Sequence, residues 1–165
     1  MEKIFAGALF LLLAIPAYGV DGVSAELGKG SRGVDQWRVG AQWNQEIAWL
    51  ASRNWRLYWD LSLGGWHSDF GTVYELGLTP VFRHARHARG VYFDAGIGAH
   101  LLSNQRVSRD LSLSTRFQFG DHLGIGYRFA RYDLGLRFQH LSNAGIRNPN
   151  PGINFLQLRL QYHFD

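Results

Sequence analysis

The residues of this chain best equipped for chemistry lie close to its carboxy terminus. His140 and Ser142 stand two apart in the segment His140-Leu141-Ser142-Asn143-Ala144-Gly145, and Asn154 follows after a turn-rich stretch. A serine hydroxyl is a weak nucleophile until a base within hydrogen-bond reach takes its proton, and the base needs a third group to fix its tautomer. Ser142 has the type for the nucleophile and His140 for the base. Asn143 and the backbone N–H groups of Ala144 or Gly145 are candidates for an oxyanion site. A His-x-Ser pair is common on its own, so the chemistry depends on the elements that carry these residues and on what they bring alongside.

Those elements are strands, because period two runs through almost the whole chain after residue 19. Val23, Ala25 and Leu27 alternate with Ser24, Glu26 and Gly28, and Trp37, Val39, Ala41 and Trp43 with Arg38, Gly40 and Gln42. The same alternation recurs from Trp55 to Leu63, Tyr74 to Arg83, Val91 to His100, Arg116 to Phe129, Asp133 to Gln139, and Leu156 to Phe164. Eight such strands suit either a soluble lipocalin-like barrel with its apolar face inward or a membrane barrel with that face outward. The polar face favours the second. It mixes Glu26, Arg38, Arg56, Asp60, Glu75, Arg83, Asp94, Arg116, Arg128, Arg137 and Arg159 with several glycines, as suits a narrow lumen filled by ion pairs. A water-facing surface would carry more Lys, and Gly weakens strand interiors unless close packing needs it. Trp37, Trp43, Trp55, Tyr127, Tyr162 and Phe164 sit near strand ends on the apolar face, where interfacial girdles form. The fold expected is all-β, an eight-stranded antiparallel transmembrane β-barrel.

Composition agrees. Among 165 residues, 15% are aromatic, and of the 17 basic residues all but Lys3 and Lys29 are Arg. The mean hydropathy of -0.17 averages an apolar outer face with a charged inner one. With no cysteine, disulfides, thiolate metal sites and cysteine nucleophiles are excluded. Lys3, the apolar stretch from Ile4 to Ile15, Pro16 and Ala17-Tyr18-Gly19 read as a secretory signal peptide over residues 1–19, leaving a barrel over 20–165. An even-stranded outer-membrane barrel keeps both termini in the periplasm, so the turn at 130–132 is periplasmic and the loop near 143–153 external. The basic run Arg83-His84-Ala85-Arg86-His87-Ala88-Arg89 then falls in a periplasmic turn and is read as a solvated turn near inner-leaflet phosphates rather than a metal site. A short helix is expected at 46–52.

The apolar parity breaks at one place. The outward set Leu134, Leu136 and Phe138 continues as His140 and Ser142, and Asn154 precedes the outward Leu156, Leu158 and Leu160. A simple hairpin register sets Ser142 opposite Asn154 and His140 opposite Leu156. Asp121 shares the outward parity of Phe119 and Leu123 and falls across from Ser142 or His140. Polar and ionisable groups at a lipid face are expensive, which makes such a cluster a functional candidate. Its hydroxyl, imidazole, amide and carboxylate are the inventory of a serine hydrolase. A rim of hydrogen-bonding residues for lipid headgroups is the alternative.

The segment from His140 to Gly145, followed by Pro149-Asn150-Pro151-Gly152, resembles the carboxy-terminal motif of the outer-membrane lipid A 3-O-deacylases. Similarity extends more diffusely to Tyr92-Phe93-Asp94-Ala95-Gly96-Ile97-Gly98 and Phe119-Gly120-Asp121. The resemblance implies a barrel whose catalytic Ser and His face the membrane, and a serine esterase that removes the ester-linked acyl chain at position 3 of lipid A with no metal or other cofactor. It matches Ser142 to the nucleophile, His140 to the base and Asn143 to the oxyanion neighbour. The family's acidic residue falls at Asn154, an amide, which can orient a neutral His but cannot stabilise the imidazolium by charge. Asp121 is the nearest carboxylate, at a position where the family also carries Asp. The partners implied are lipopolysaccharide as substrate and outer-membrane lipids, with a homodimer left open. Nucleic acid is disfavoured by export. A non-catalytic barrel that binds or stabilises lipopolysaccharide, and a soluble carrier, are the competing classes.

Overall fold

The computed structural model describes residues 19–164, so the leader expected over 1–19 lies outside the described residues except for Gly19. Ten strands follow in order: β1 (Gly22–Gly30), β2 (Asp35–Gln45), β3 (Trp55–Ser68), β4 (Gly71–His84), β5 (Gly90–Leu102), β6 (Arg106–Ser108), β7 (Leu111–Ser112), β8 (Phe117–Arg128), β9 (Tyr132–Ser142) and β10 (Ile153–His163). Eight of them close an antiparallel barrel in the order β1-β10-β9-β8-β5-β4-β3-β2, and β6 pairs with β7 in a small hairpin within the connection from β5 to β8. The expected barrel is therefore present. Period two does not reveal the β6–β7 hairpin, because two- and three-residue strands are too short to show it. The short helix α1 (Ala48–Ala51) lies inside the helical stretch expected between β2 and β3.

The barrel is inside out relative to a soluble protein. Leu27, Leu123, Leu136, Phe138, Leu156, Leu158 and Leu160 are exposed around its wall, while Glu26, Arg38, Asp60, Glu75, Arg83, Asp94, Asp133, Arg137 and Arg159 are buried within it. Charges taken out of water need partners, and here every luminal carboxylate has one. Glu26 accepts from Arg38, Arg137 and Arg159, and Arg159 also reaches Asp60 at 2.9 Å. Nearer the terminal end, Arg83 bridges Asp133 and Asp94, the latter at 3.1 Å, and stacks 3.8 Å from the Tyr92 ring centroid.

The lumen holds fewer arginines than the alternation suggests. Arg56 and Arg116 are exposed and Arg128 is half-buried. Each stands at the end or just beyond the end of a barrel strand, where inward parity leads to the mouth rather than into the lumen. Four arginines, Arg38, Arg83, Arg137 and Arg159, face five carboxylates inside. The basic surplus accordingly sits on the two rims.

At the loop end the lumen is closed by an apolar cluster of Val34, Trp66, Val73, Leu102, Val107, Leu111, Leu113, Leu141, Ile153 and Phe155. Trp66 packs on Phe155 at 5.1 Å between ring centroids and donates its indole N–H to Glu75 at 2.6 Å. The aromatic and its polar handle thus join the apolar lid to the ionic core below. At the other end the first and last described segments meet, with the Phe164 N–H donating to the Asp21 carbonyl and the His163 N–H to the carbonyl of Arg131 in the β8–β9 turn. Ring pairs Tyr132–Tyr162, Tyr162–Phe164 and Tyr127–Phe129, 4.9 to 5.4 Å apart, form an aromatic band there.

Candidate active site

Strand β9 carries His140 and Ser142 on its outward face, and its two neighbours supply the groups around them. Across β8 the register sets Asp121 opposite His140 and Phe119 opposite Ser142. Across β10 it sets Asn154 opposite His140 and Ile153 opposite Leu141. The simple hairpin register placed Ser142 opposite Asn154 and His140 opposite Leu156; the structure moves that pairing by two residues. A two-residue slip leaves every side chain on its own face, so the alternation cannot detect it. In the observed pairing Leu141 and Ile153 lie side by side in the apolar lid.

The consequence is a direct bond. His140 Nδ1 lies 2.6 Å from the Asn154 side-chain oxygen. An amide oxygen is an acceptor only, so Nδ1 carries the hydrogen, and in the neutral ring the lone pair is on Nε2. That is the tautomer a general base needs. The Asn154 backbone N–H in turn donates to Ser31 Oγ at 3.3 Å, which ties the turn between β1 and β2 to the site.

Gly152 completes the seat of the imidazole. Its φ is +61°, and a Cβ there would lie 2.6 Å from His140 Cε1 and 3.2 Å from Nε2. Any side chain would push the ring aside, on a backbone that L residues seldom adopt. Sequence reasoning placed Gly152 in a motif without giving it a role; the signal available was a Gly following Pro151 directly before the strand that carries Asn154.

Ser142 is half-buried on the same face as His140, and its hydroxyl makes no hydrogen bond within the described residues. Asp121 is exposed beside His140, on the side away from Asn154. Asn143 points elsewhere. Fully buried, it donates to the carbonyls of Leu113 and Arg147 at 3.0 and 2.8 Å and accepts from the Gly145 N–H at 2.9 Å, while its own N–H donates to the Asn150 side chain at 3.0 Å. Of the oxyanion candidates, Asn143 and Gly145 thus have their N–H groups engaged, and the Ala144 N–H has no acceptor among the described residues. Ala144 and Gly145 both have positive φ, +51° and +80°, a conformation costly for Ala. The Asn143 clasp holds it. Losing that clasp in Asn143→Ala is expected to lower turnover about 100-fold through misplacement of the loop, with the barrel's heat-modifiable gel migration unchanged.

The polar cluster borders an apolar wall. Leu123, Phe138 and Leu156 are exposed on the membrane side of His140, and Phe117 and Phe119 pack edge-on at 5.0 Å beside Ser142. Acyl chains lying along these side chains would bring an ester at headgroup depth to the hydroxyl. Among the described residues no three His, Asp or Glu side chains gather to hold a metal ion.

A family model described as lipid A 3-O-deacylase (PagL) matches residues 35–163. The chain belongs to that family. Lipid A deacylase PagL of Pseudomonas aeruginosa is 33% identical over 143 residues, covering 82% of each chain. The Bordetella bronchiseptica protein of the same name is 41% identical over 95 residues, 57% of this chain and 52% of that protein, so the matched stretch spans about half of that relative. Among solved structures, the crystal structure of the outer membrane enzyme PagL superposes with a TM-score of 0.77 at 32% identity, covering 86% of this chain and 99% of that one. Family and fold thus agree on an outer-membrane barrel.

Proposed function

We propose that this chain is a lipid A 3-O-deacylase of the outer membrane, a serine esterase that hydrolyses the ester-linked 3-hydroxyacyl chain at position 3 of lipid A in the outer leaflet. The observation that carries the mechanism is the His140–Asn154 bond beside Ser142 on the lipid-facing wall. Nothing about barrel stability calls for an oriented imidazole in that place, where polar groups are costly.

In this reading His140 Nε2 takes the proton from Ser142 Oγ as the oxygen attacks the ester carbonyl. The Ala144 N–H, aimed by the Asn143 clasp, stabilises the oxyanion of the tetrahedral intermediate. His140 then returns the proton to the departing sugar oxygen, which leaves an acyl-Ser142. Water, deprotonated by the same imidazole, attacks the acyl group; the bond to Ser142 Oγ breaks, His140 returns the proton to Oγ, and a 3-hydroxy fatty acid is released. No cofactor enters any step. Asn154 fixes the tautomer, and the exposed Asp121 carboxylate across β8 is the nearest negative charge for the imidazolium.

The amide at 154 makes a graded prediction. Asn154→Ala is expected to lower kcat on the order of 100-fold by releasing the tautomer, whereas Asn154→Glu, which adds charge to orientation, is expected to match or exceed the parent. Asp121→Asn should cost the parent more than it costs Asn154→Glu, since the second carboxylate takes over the role. Equal losses in both backgrounds would remove Asp121 from the mechanism. The overall assignment is tested by mass spectrometry of lipid A from cells expressing the chain: loss of one 3-hydroxyacyl chain supports it. Unchanged lipid A with a folded, surface-located barrel would favour a protein that only binds lipopolysaccharide.

A further inference from the structure

A cavity lies at the opposite end of the barrel from Ser142, on the rim where the first and last described residues meet. Arg56, Arg89, Arg128 and Arg131, with Ala88 and Ala130, line an open volume of about 410 Å³. Arg56 comes from the start of β3, Arg89 from the β4–β5 turn, and the other two from the end of β8 and its turn into β9. These segments are distant in sequence, and the barrel alone brings them together.

Among the described residues no carboxylate lines the cavity. Arg128 donates its Nε–H to the Ala130 carbonyl at 3.4 Å and lies 3.9 Å from Asp133. The guanidinium groups of Arg56, Arg89 and Arg131 have no hydrogen bond or ion pair within the described residues. As like charges, Arg56, Arg89 and Arg131 repel one another, and a concave site lined by one sign concentrates the opposite one. Guanidinium groups match phosphate in charge and in two-pronged geometry, and the two small alanines leave room for such a group between them.

We propose that this cavity is an anion site that takes a phosphate group at the periplasmic mouth of the barrel, independently of the deacylase site. The phosphate comes either from a phospholipid headgroup of the inner leaflet or from a soluble phosphate ester. The aromatic band beside it, Tyr127 and Phe129 on β8 and the turn that follows, lies where a lipid's upper chains would rest.

Two arms of one experiment separate the sources, using the full mature chain purified in a phosphate-free maltoside detergent. In the first, inorganic pyrophosphate is titrated calorimetrically. In the second, the chain is reconstituted into phosphatidylcholine nanodiscs containing a minority of phosphatidylglycerol, and the lipid retained on the protein is read by native mass spectrometry. Saturable pyrophosphate binding assigns a soluble ligand, and selective retention of phosphatidylglycerol assigns a lipid. In either arm Arg56→Gln/Arg89→Gln/Arg131→Gln is expected to weaken binding about 10-fold or more, equivalent to ~1.4 kcal/mol. Heat-modifiable migration reports whether that variant folds. Arg89→Gln alone, in an exposed turn, is expected to weaken binding by a smaller factor and decides the matter if the triple variant does not fold. The same measurements in Ser142→Ala should match the parent, which keeps this test separate from the deacylase assignment. If neither probe binds the parent better than the Arg variants, the proposal is overturned.

Discussion

Replacing Ser142 with Ala is expected to abolish release of 3-hydroxy fatty acid, with a fall in kcat of roughly 10⁴- to 10⁶-fold. The size follows from the chemistry. Without the hydroxyl no acyl-enzyme forms, and what remains is water attack assisted by His140 and a single oxyanion donor. The change should leave the barrel intact, because Ser142 Oγ holds no hydrogen bond among the described residues and the neighbouring Leu141 and Phe155 keep the inward face packed. His140→Ala is expected to cost as much, and the double variant little more than either single one, since nucleophile and base act as a unit. The measurement is turnover on purified lipopolysaccharide, with heat-modifiable migration as the control for folding. Full activity in a folded Ser142→Ala would remove Ser142 as nucleophile and with it the mechanism.

The parts of this structure legible in the sequence are those that repeat. Eight alternating segments announce eight strands, and the mixture of Arg, acids and Gly on one face announces which face is enclosed. The outward parity of His140, Ser142, Asn154 and Asp121 follows from the same rule, and the structure places all four on adjacent strands. What period two cannot carry is register, since a slip of two residues changes no side chain's face. It therefore missed that His140 meets Asn154 rather than Leu156. The resemblance of the 140–152 segment singled out the candidate residues, yet not the bonds that Asn143 makes. Its four side-chain bonds and its engaged N–H belong to a loop with no periodicity. Gly152 was equally silent, because the close approach of the His140 ring exists only once β9 and β10 are paired. At strand ends the alternation misled: Arg56, Arg116 and Arg128 have luminal parity but stand at the mouths, and three residues of luminal parity, Trp66, Leu141 and Phe155, form part of an apolar lid that an expectation of a wholly polar lumen did not include.

The luminal network makes the largest stability prediction. Glu26 is buried, and three guanidinium groups, those of Arg38, Arg137 and Arg159, converge on its carboxylate. Truncating one member of a buried ionic cluster leaves the others desolvated and unpaired, at a cost of about 3–5 kcal/mol. Glu26→Ala is expected to lose at least that much, because Asp60, the next acceptor, already serves Arg159 at 2.9 Å and lies 3.7 Å from Arg137. The loss would be read as a lower urea midpoint in detergent with the slope unchanged, and as a lower temperature for the shift between folded and unfolded gel bands. Glu26→Gln keeps the shape and one acceptor oxygen and should lose less. Because Glu26 faces the lumen while Ser142 and His140 face the membrane, deacylation per folded molecule should hold at temperatures where Glu26→Ala is still closed. A Glu26→Ala barrel as stable as the parent would mean that the arginines find other partners or admit water, and that barrel closure rests on the strand ladder and the apolar lid rather than on the ions within.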